Sequence, residues 1–198
     1  IIILLISSPL WLFGALLVLF EDGFPIIYKS ERIGERGKSF ITYKLRTMFK
    51  KFSIGPQFKD VKKNLELEQK LIKEQSIKKG AVYKIANDPR ILKTGNFLRR
   101  WSIDEFPNFI SVLKGDMSLV GPRPHQPREV EKYTDEQRRV LTIKPGVTGL
   151  AQISGRSDLT WDEEARLDIW YIENWSPLLD IYILIKTPFA VIQKTGAY

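Results

Sequence analysis

The chain has 198 residues, 43% hydrophobic and 12% aromatic, which is enough for one domain with its own core but too few for two. Its 31 Lys and Arg against 23 Asp and Glu give a net charge of +8, which indicates an anionic partner: nucleic acid, an acidic lipid surface or a phosphorylated small molecule. Because it has no cysteine and a single histidine, the sequence excludes disulfides, thiolate nucleophiles and histidine-rich metal sites. Acid–base or metal chemistry must therefore fall mainly to carboxylates.

Residues 1–20 read IIILLISSPLWLFGALLVLF and carry no charge. That length matches a bilayer-spanning helix, and no small-residue cleavage site of a secretory signal follows. Pro9, preceded by Ser7 and Ser8, removes a helical N–H and tends to kink the helix. Two interpretations are open: a kinked transmembrane helix, or a re-entrant helix-break-helix in one leaflet, with its freed backbone groups capped by the serine hydroxyls.

The membrane segment divides the chain. We expect residues 1–22 to form it and residues 23–198 to form a catalytic domain at the cytoplasmic face, and we expect a longer protein to precede Ile1, since the chain does not begin with Met. The positive-inside rule supports that side, because basic residues follow the apolar stretch at Lys29, Arg32, Arg36 and Lys38.

The next segments predict a small β-hairpin followed by helices. Residues 25–30 and 39–48 are β-rich and are separated by a turn region with two glycines. Alternation puts Lys44 and Arg46 on one strand face, which by spacing alone indicates an ordinary solvated surface. Residues 59–79 predict an exposed, weakly amphipathic helix. A capping box at Thr160 and Glu163 begins a later helix, and residues 178–192 predict a helix at the membrane interface.

The central feature is the acidic pair Asp104 and Glu105, which follows Arg99 and Arg100. Apolar spacing from Ile103 to Leu113 predicts a helix of about three turns. Ser102 and Glu105 then match an S-x-x-E capping box, a purely structural explanation of the acids. The functional interpretation uses the same positions. Adjacent carboxylates on a first helical turn do not face each other across a substrate as glycosidase acids do, but they can share Mg²⁺, and one can attack phosphorus.

Later segments supply further candidates. Pro122 and Pro124 stiffen the backbone around Arg123 and fix the direction of its guanidinium, which suits a phosphate, although an ordinary proline-rich turn is the simpler interpretation. His125 is expected at the surface. Residues 147–156 read as an extended piece with tight turns, and the sequence contains no P-loop or dinucleotide fingerprint.

Taken together, these segments resemble the bacterial sugar transferases, the monotopic phosphoglycosyl transferases that begin exopolysaccharide and other glycan assembly on polyprenyl phosphate. The resemblance spans nearly the whole chain and is closest to the catalytic domain of the larger hexose-1-phosphate transferases. It is carried by Ser8-Pro9 and by residues 43–48, 87–90, 98–107, 115–124, 144–149 and 154–158.

The resemblance implies an α+β fold: a mostly helical membrane-associated domain with a small β-hairpin, a re-entrant membrane helix broken at Ser8 and Pro9, and interfacial amphipathic helices. It implies that a sugar 1-phosphate, in the larger members a hexose 1-phosphate, passes from a UDP-sugar to undecaprenyl phosphate with release of UMP. Asp104 would be the nucleophile that holds the phospho-sugar, and Glu105 would help Asp104 hold Mg²⁺ and would accept a proton from the lipid phosphate. Candidate phosphate and substrate ligands are Arg99, Arg123, Arg100, Lys44, Arg46, Thr148 and Arg156.

These implications place the protein in the bacterial cytoplasmic membrane, with lipid as a partner, no nucleic acid, and a homodimer left open. The competing hypothesis is a membrane-tethered basic module that binds anionic lipid or nucleic acid without catalysis, in which the acidic pair only caps a helix. The identity of the sugar and the pathway are not encoded in any residue pattern of the sequence.

Overall fold

A computed structural model of the chain describes residues 2–77, 83, 85, 87–155 and 158–193. Its α-helices are α1 (Ile2–Asp22), α2 (Val61–Gln75), α3 (Lys93–Arg100), α4 (Phe109–Leu113), α5 (Pro127–Val130), α6 (Leu150–Ser154), α7 (Trp161–Glu173) and α8 (Pro177–Ile192). The strands are β1 (Ile27–Ile33), β2 (Ser39–Leu45), β3 (Ser118–Val120) and β4 (Gly146–Thr148), and short 3₁₀ helices cover Glu35–Gly37, Lys50–Phe52, Ile103–Asn108 and Gln137–Thr142. The predicted mostly helical fold with a small β-hairpin is confirmed.

The hairpin lies where the sequence predicted it. β1 and β2 pair antiparallel, with Ile27 opposite Leu45 and Ile33 opposite Ser39, so β1 runs three residues further than expected. A second small sheet joins β3 and β4 in parallel. Residues 147–156 are therefore only partly extended: the prediction is wrong for α6, which begins directly after Gly149.

Helix α1 continues through Pro9. Proline cannot donate to the carbonyl four residues earlier, which is that of Leu5, and the Ser8 hydroxyl donates to this carbonyl instead at 2.7 Å. Ser8 thus caps the carbonyl as expected, but the break expected in the helix at Ser8 and Pro9 is wrong, because α1 is continuous from Ile2 to Asp22. Among the described residues, the single helix long and apolar enough to cross a membrane is α1, over the window Leu5–Asp22.

The second half of α1 packs against the rest of the chain. Val18 is fully buried in a cluster with Leu45 of β2, Leu98 of α3 and Ile103. Gly14 allows this approach, because a Cβ there would lie 2.8 Å from Leu45 Cδ1. Two further clusters of buried apolar residues surround Trp161 and Ile183. The apolar helix is therefore docked onto the domain at its carboxyl half.

The exposed helix expected at residues 59–79 is confirmed except at its inner face, and the exposure expected of His125 is wrong. The inner face of α2 buries Asn64, Glu68 and Leu71, and Glu68 is held in an ion pair with Arg128 rather than in water. His125 is 3% exposed and packs edge-on to Trp161, with ring centroids 4.9 Å apart. Both errors have one cause: the partners come from distant parts of the chain, which a local pattern does not reveal.

The predicted carboxyl-terminal helices are present. Thr160 and Glu163 form a complete capping box on α7, which ends at Glu173. Helix α8 keeps an exposed apolar stripe, whose members recur every three or four residues, at Leu178, Ile181, Ile185, Phe189 and Ile192.

Candidate active site

The acidic pair lies in the 3₁₀ helix Ile103–Asn108, which continues directly into α4. The predicted capping box at Ser102 is wrong: Ser102 has a left-handed backbone (φ 54°) and its side chain makes no cap hydrogen bond. This residue forms the sharp turn out of α3, which takes its hydroxyl out of capping geometry. Glu105 instead accepts a hydrogen bond from Lys44 Nζ at 2.6 Å. The structural explanation of the acids as a helix cap therefore fails.

Asp104 is the more buried of the two acids. It is 7% exposed, whereas the Glu105 side chain is 32% exposed. Burial, together with the neighbouring Glu105 carboxylate, raises the pKa of Asp104, while Lys44 and Arg99 act to lower it. Asp104 is thus a poorly solvated carboxylate that depends on two cations for its charge.

A cleft with a volume of about 620 Å³ opens above this pair. Its basic lining comes from β1, β2, α3 and the connecting segments after β2, before α3 and after β3, so the cleft is assembled only by folding. The basic side chains that line it are Arg32, Lys44, Arg46, Arg90, Arg99 and Arg123. Such a concentration of guanidinium groups beside two acids suits a ligand with several phosphate oxygens.

Arg99 and Arg123 face the cleft from fixed positions. Arg99 Nε donates to Thr47 Oγ1 at 2.8 Å, which ties α3 to the end of β2. The backbone around Arg123 is held on both sides: Gly146 N–H donates to the Pro122 carbonyl at 2.8 Å, and Asp168 accepts from the Arg123 N–H. The predicted stiff presentation of Arg123 has this physical basis, and its role toward phosphate stays a prediction.

The other candidates are not free to bind a ligand in the cleft or lie outside it. Arg46 is 1% exposed, and its guanidinium donates hydrogen bonds to the Asp22 carboxylate and to four backbone carbonyls. It therefore stabilises the fold and has no free donors for a phosphate. Thr148 is turned toward α8, where its hydroxyl pairs with Thr187 at 2.7 Å, because β4 packs under that helix. Arg100 is exposed on α3, outside the cleft lining. Arg156 lies outside the described residues.

A family model described as bacterial sugar transferase matches residues 1–194. The chain belongs to this family.

Three relatives illustrate the similarity. This chain is 42% identical over its whole length to the undecaprenyl-phosphate galactose phosphotransferase of Salmonella typhimurium, and the match covers 40% of that protein. It is 44% identical over 89% of its length to the galactosyl transferase CpsE of Streptococcus agalactiae, covering 37% of that protein. It is 35% identical over its whole length to the UDP-glucose:undecaprenyl-phosphate glucose-1-phosphate transferase of Escherichia coli, covering 39%. The chain thus spans about two fifths of each relative.

Sequence reasoning missed several residues of the cleft. Asp88 accepts hydrogen bonds from Nε and Nη2 of Arg90, whereas the sequence marks residues 87–90 only as a turn and as part of the resemblance. His125 and Glu164 also line the cleft, with His125 Nε2 3.7 Å from Glu164 Oε1. The proline-flanked sequence around His125 was the one available signal, and nothing local pointed to Glu164.

The acidic pair was also the predicted magnesium site. Among the described residues, no group of three or more His, Cys, Asp or Glu side chains has metal-binding geometry. Two carboxylates beside a cleft with a basic lining nevertheless fit Mg²⁺, which binds through one or two carboxylates together with substrate phosphates. Lys44 competes for the same Glu105 oxygen, so a metal would share this carboxylate with the ammonium group.

Proposed function

We propose that this protein transfers a sugar 1-phosphate from a UDP-sugar to polyprenyl phosphate and releases UMP. The observation that carries this proposal is the buried Asp104 carboxylate at the base of a cleft lined by Lys44, Arg99 and Arg123. The names of the Salmonella and Escherichia relatives support the same reaction class. The competing hypothesis of a non-catalytic basic module loses its main support, because Glu105 pairs with Lys44 instead of capping a helix.

In the proposed reaction Asp104 is the nucleophile. An ionised Oδ attacks the β-phosphorus of the donor, forming an aspartyl phosphate bond to the phospho-sugar while the bond to the bridging oxygen breaks and UMP leaves with the electron pair. A phosphate oxygen of the lipid then attacks the same phosphorus and releases Asp104. Arg99 and Arg123 bind the charged oxygens in both steps.

Glu105 assists this exchange. Asp104 and Glu105 would hold Mg²⁺, which would neutralise part of the negative charge of the diphosphate. Lys44 Nζ, 2.6 Å from Glu105 Oε1, holds this carboxylate beside the cleft. Glu105 is then placed to accept a proton from the lipid phosphate if that phosphate arrives protonated.

We propose further that α1 is re-entrant and that the domain lies on the cytoplasmic face. A spanning helix needs about 20 residues in the hydrocarbon, yet Gly14 and Val18 already pack against the domain. The bond from Ser8 to the Leu5 carbonyl allows a proline inside an apolar helix without an exposed acceptor. The exposed stripe on α8 supports contact of that helix with the lipid surface.

Trapping the covalent intermediate tests the reaction. Wild-type protein, the D104N variant and the E105Q variant are incubated with a UDP-sugar carrying ³²P at the β position, without lipid acceptor, and the denatured protein is counted. We expect label on wild type, none on D104N, and a reduced rate with E105Q. Undecaprenyl phosphate should discharge the label from wild type. Full transfer by D104N would refute the nucleophile assignment.

Two further measurements test the substrate and the topology. The Streptococcus and Salmonella relatives are named for galactose and the Escherichia relative for glucose, so UDP-galactose and UDP-glucose are the first donors to test for UMP release, beside the UDP-N-acetyl sugars. Protease-accessible tags before Ile1 and after Tyr198 should lie on one side of sealed vesicles. Opposite sides would refute the re-entrant arrangement.

A further inference from the structure

Helix α3 begins without a cap from its own chain segment. Its N-cap residue, Leu92, is buried and makes no side-chain cap bond, so the first backbone N–H groups of α3 need acceptors from elsewhere. Glu21, at the end of the membrane helix, supplies them. Its Oε1 accepts from Lys93 N–H at 2.8 Å, and its Oε2 accepts from Thr94 N–H at 2.9 Å and from the Thr94 hydroxyl. One carboxylate thus caps α3 across 72 residues of sequence.

The far end of α3 carries Arg99, one of the two proposed phosphate ligands. Along its length α3 is pressed against the segment that follows β2, since a Cβ on Gly95 would lie only 2.2 Å from the Thr47 carbonyl oxygen. The bond from Arg99 Nε to Thr47 Oγ1 then sets the guanidinium toward the cleft. The position of Arg99 therefore depends on how α3 is held at its first turn.

The next residue of α1 anchors the other side of the cleft. Asp22 pairs with Arg46 and also accepts from Lys50 N–H at 2.7 Å. Arg46 lies two positions after Lys44, the residue that holds Glu105. The last two residues of the membrane helix are thus bonded to both of the segments that bring cations to the acidic pair.

We propose that Glu21 is a positioning residue for the transfer reaction, and that by capping α3 from the membrane helix it makes the placement of Arg99 depend on the docking of α1. This inference rests on the proposed function of the cleft. Glu21 touches neither the acidic pair nor a substrate in this arrangement; it acts through α3. The consequence is that the cleft is complete only when the membrane helix is in place.

The test compares three variants of the full chain in phospholipid nanodiscs: E21A, E21Q and S176A. Ser176 caps α8 through Leu179 N–H, so S176A removes a helix cap that has no connection to α3. UMP release with undecaprenyl phosphate gives kcat and KM for the donor. Because misplacing a binding group by about 1 Å can reduce the rate by up to roughly a hundredfold, we expect kcat/KM of E21A to fall roughly 10- to 100-fold. E21Q keeps one acceptor oxygen and should lie between, while S176A should match wild type.

The same variants in an R99A background separate positioning from a general loss of stability. If Glu21 acts through Arg99, E21A lowers kcat/KM much less when Arg99 is already absent. An undiminished effect of E21A in R99A, or equal kcat/KM for E21A and S176A, would overturn the proposal.

Hydrogen exchange gives a readout that does not depend on activity. We expect E21A to lose amide protection at Lys93 and Thr94 and along α3, with α8 unchanged, and S176A to show the reverse. If wild type releases no UMP from any UDP-sugar, the proposed function fails, and the exchange pattern alone then decides whether Glu21 caps α3. Unchanged protection of α3 in E21A would refute the capping role itself.

Discussion

Lys44 Nζ lies 2.6 Å from Glu105 Oε1, although 61 residues separate the two in sequence. The pair is partly buried, with side chains 20% and 32% exposed. It joins the edge of the hairpin to the acidic pair and places a positive charge near Asp104 as well. The Lys44 ammonium group lowers the pKa of Asp104 and so favours its ionised form, which nucleophilic attack requires.

Removing that charge should shift the pH dependence of the reaction. Lys44 is one of two cations that lower the pKa of Asp104, so in K44M the pKa rises further and a smaller fraction of Asp104 is ionised at a given pH. We expect the acidic limb of the kcat/KM profile to move to higher pH. On that limb, each pH unit of displacement lowers kcat/KM roughly tenfold, which corresponds to about 1.4 kcal/mol of transition-state stabilisation.

K44R is the matched control, because it keeps the charge but changes the geometry of the ammonium contact. Its acidic limb should stay near that of wild type even if kcat is lower. An acidic limb of K44M that coincides with that of wild type would show that Lys44 does not set the ionisation of Asp104.

Local patterns predicted the elements well. Alternation with paired turn glycines located the hairpin, the Thr160 and Glu163 spacing located the start of α7, and apolar length located α1. The same kind of reasoning singled out Asp104 and Glu105, since two adjacent acids after two arginines are visible in the sequence itself. Their catalytic roles stay predictions, but the cleft does converge on them.

Contacts between residues far apart in sequence could not be predicted from local patterns. The sequence around Ser102 matches a capping box, but the box does not form, because Glu105 accepts a hydrogen bond from Lys44 of β2 instead. Arg46 looked like a second basic residue on a solvated strand face, whereas Asp22 and nearby carbonyls bury it. His125 is buried because Tyr133 and Trp161 pack around it. Each error concerns which partner a side chain meets, which only the tertiary fold decides.

A buried acid beneath Arg123 should make stability fall as pH rises. Burial, with the Glu164 carboxylate nearby, raises the pKa of Asp168 well above its usual value, and the bond from Arg123 N–H only partly opposes this. The unfolded chain therefore releases the Asp168 proton at lower pH than the folded protein does. The free energy of unfolding therefore decreases as pH rises, from about pH 4, the ordinary pKa of aspartate, up to the pKa of Asp168 in the folded protein.

D168N should remove that dependence. Asparagine keeps an acceptor for Arg123 N–H but has no proton to lose, so we expect its stability relative to wild type to improve as pH rises from about 4 toward 7. Urea unfolding at a series of pH values, in detergent, gives the comparison. D162N, a change at an exposed acid on the same helix, serves as the control and should show no such trend. A constant difference between D168N and wild type would contradict the expectation.

The hydroxyl of Ser8 should matter only because Pro9 follows it. In S8A the Leu5 carbonyl loses its donor, and an unsatisfied acceptor costs about 1–3 kcal/mol where water is excluded. P9A restores the backbone N–H that normally serves this carbonyl. In the P9A background, S8A should therefore cost close to nothing. Unfolding in lipid-containing micelles measures the four proteins of this cycle, and an equal cost of S8A in both backgrounds would show that Ser8 does not replace the missing donor.

Two helical glycines should respond differently to alanine, although both substitutions favour a helix by about 1 kcal/mol. At Gly95 the new Cβ meets the Thr47 carbonyl oxygen at 2.2 Å, a backbone atom that can yield only if α3 moves away and the Arg99 contact is lost. At Gly14 it meets the Leu45 and Leu98 methyls at 2.8 and 2.9 Å, which can rotate aside. We expect G95A to destabilise the protein by about 1–3 kcal/mol net and to lower kcat/KM, and G14A to destabilise it less.

Urea unfolding and UMP release measure both effects. K93A, an exposed substitution on the same helix, controls for helix propensity, and a G95A protein as stable and active as K93A would show that α3 does not need this close contact.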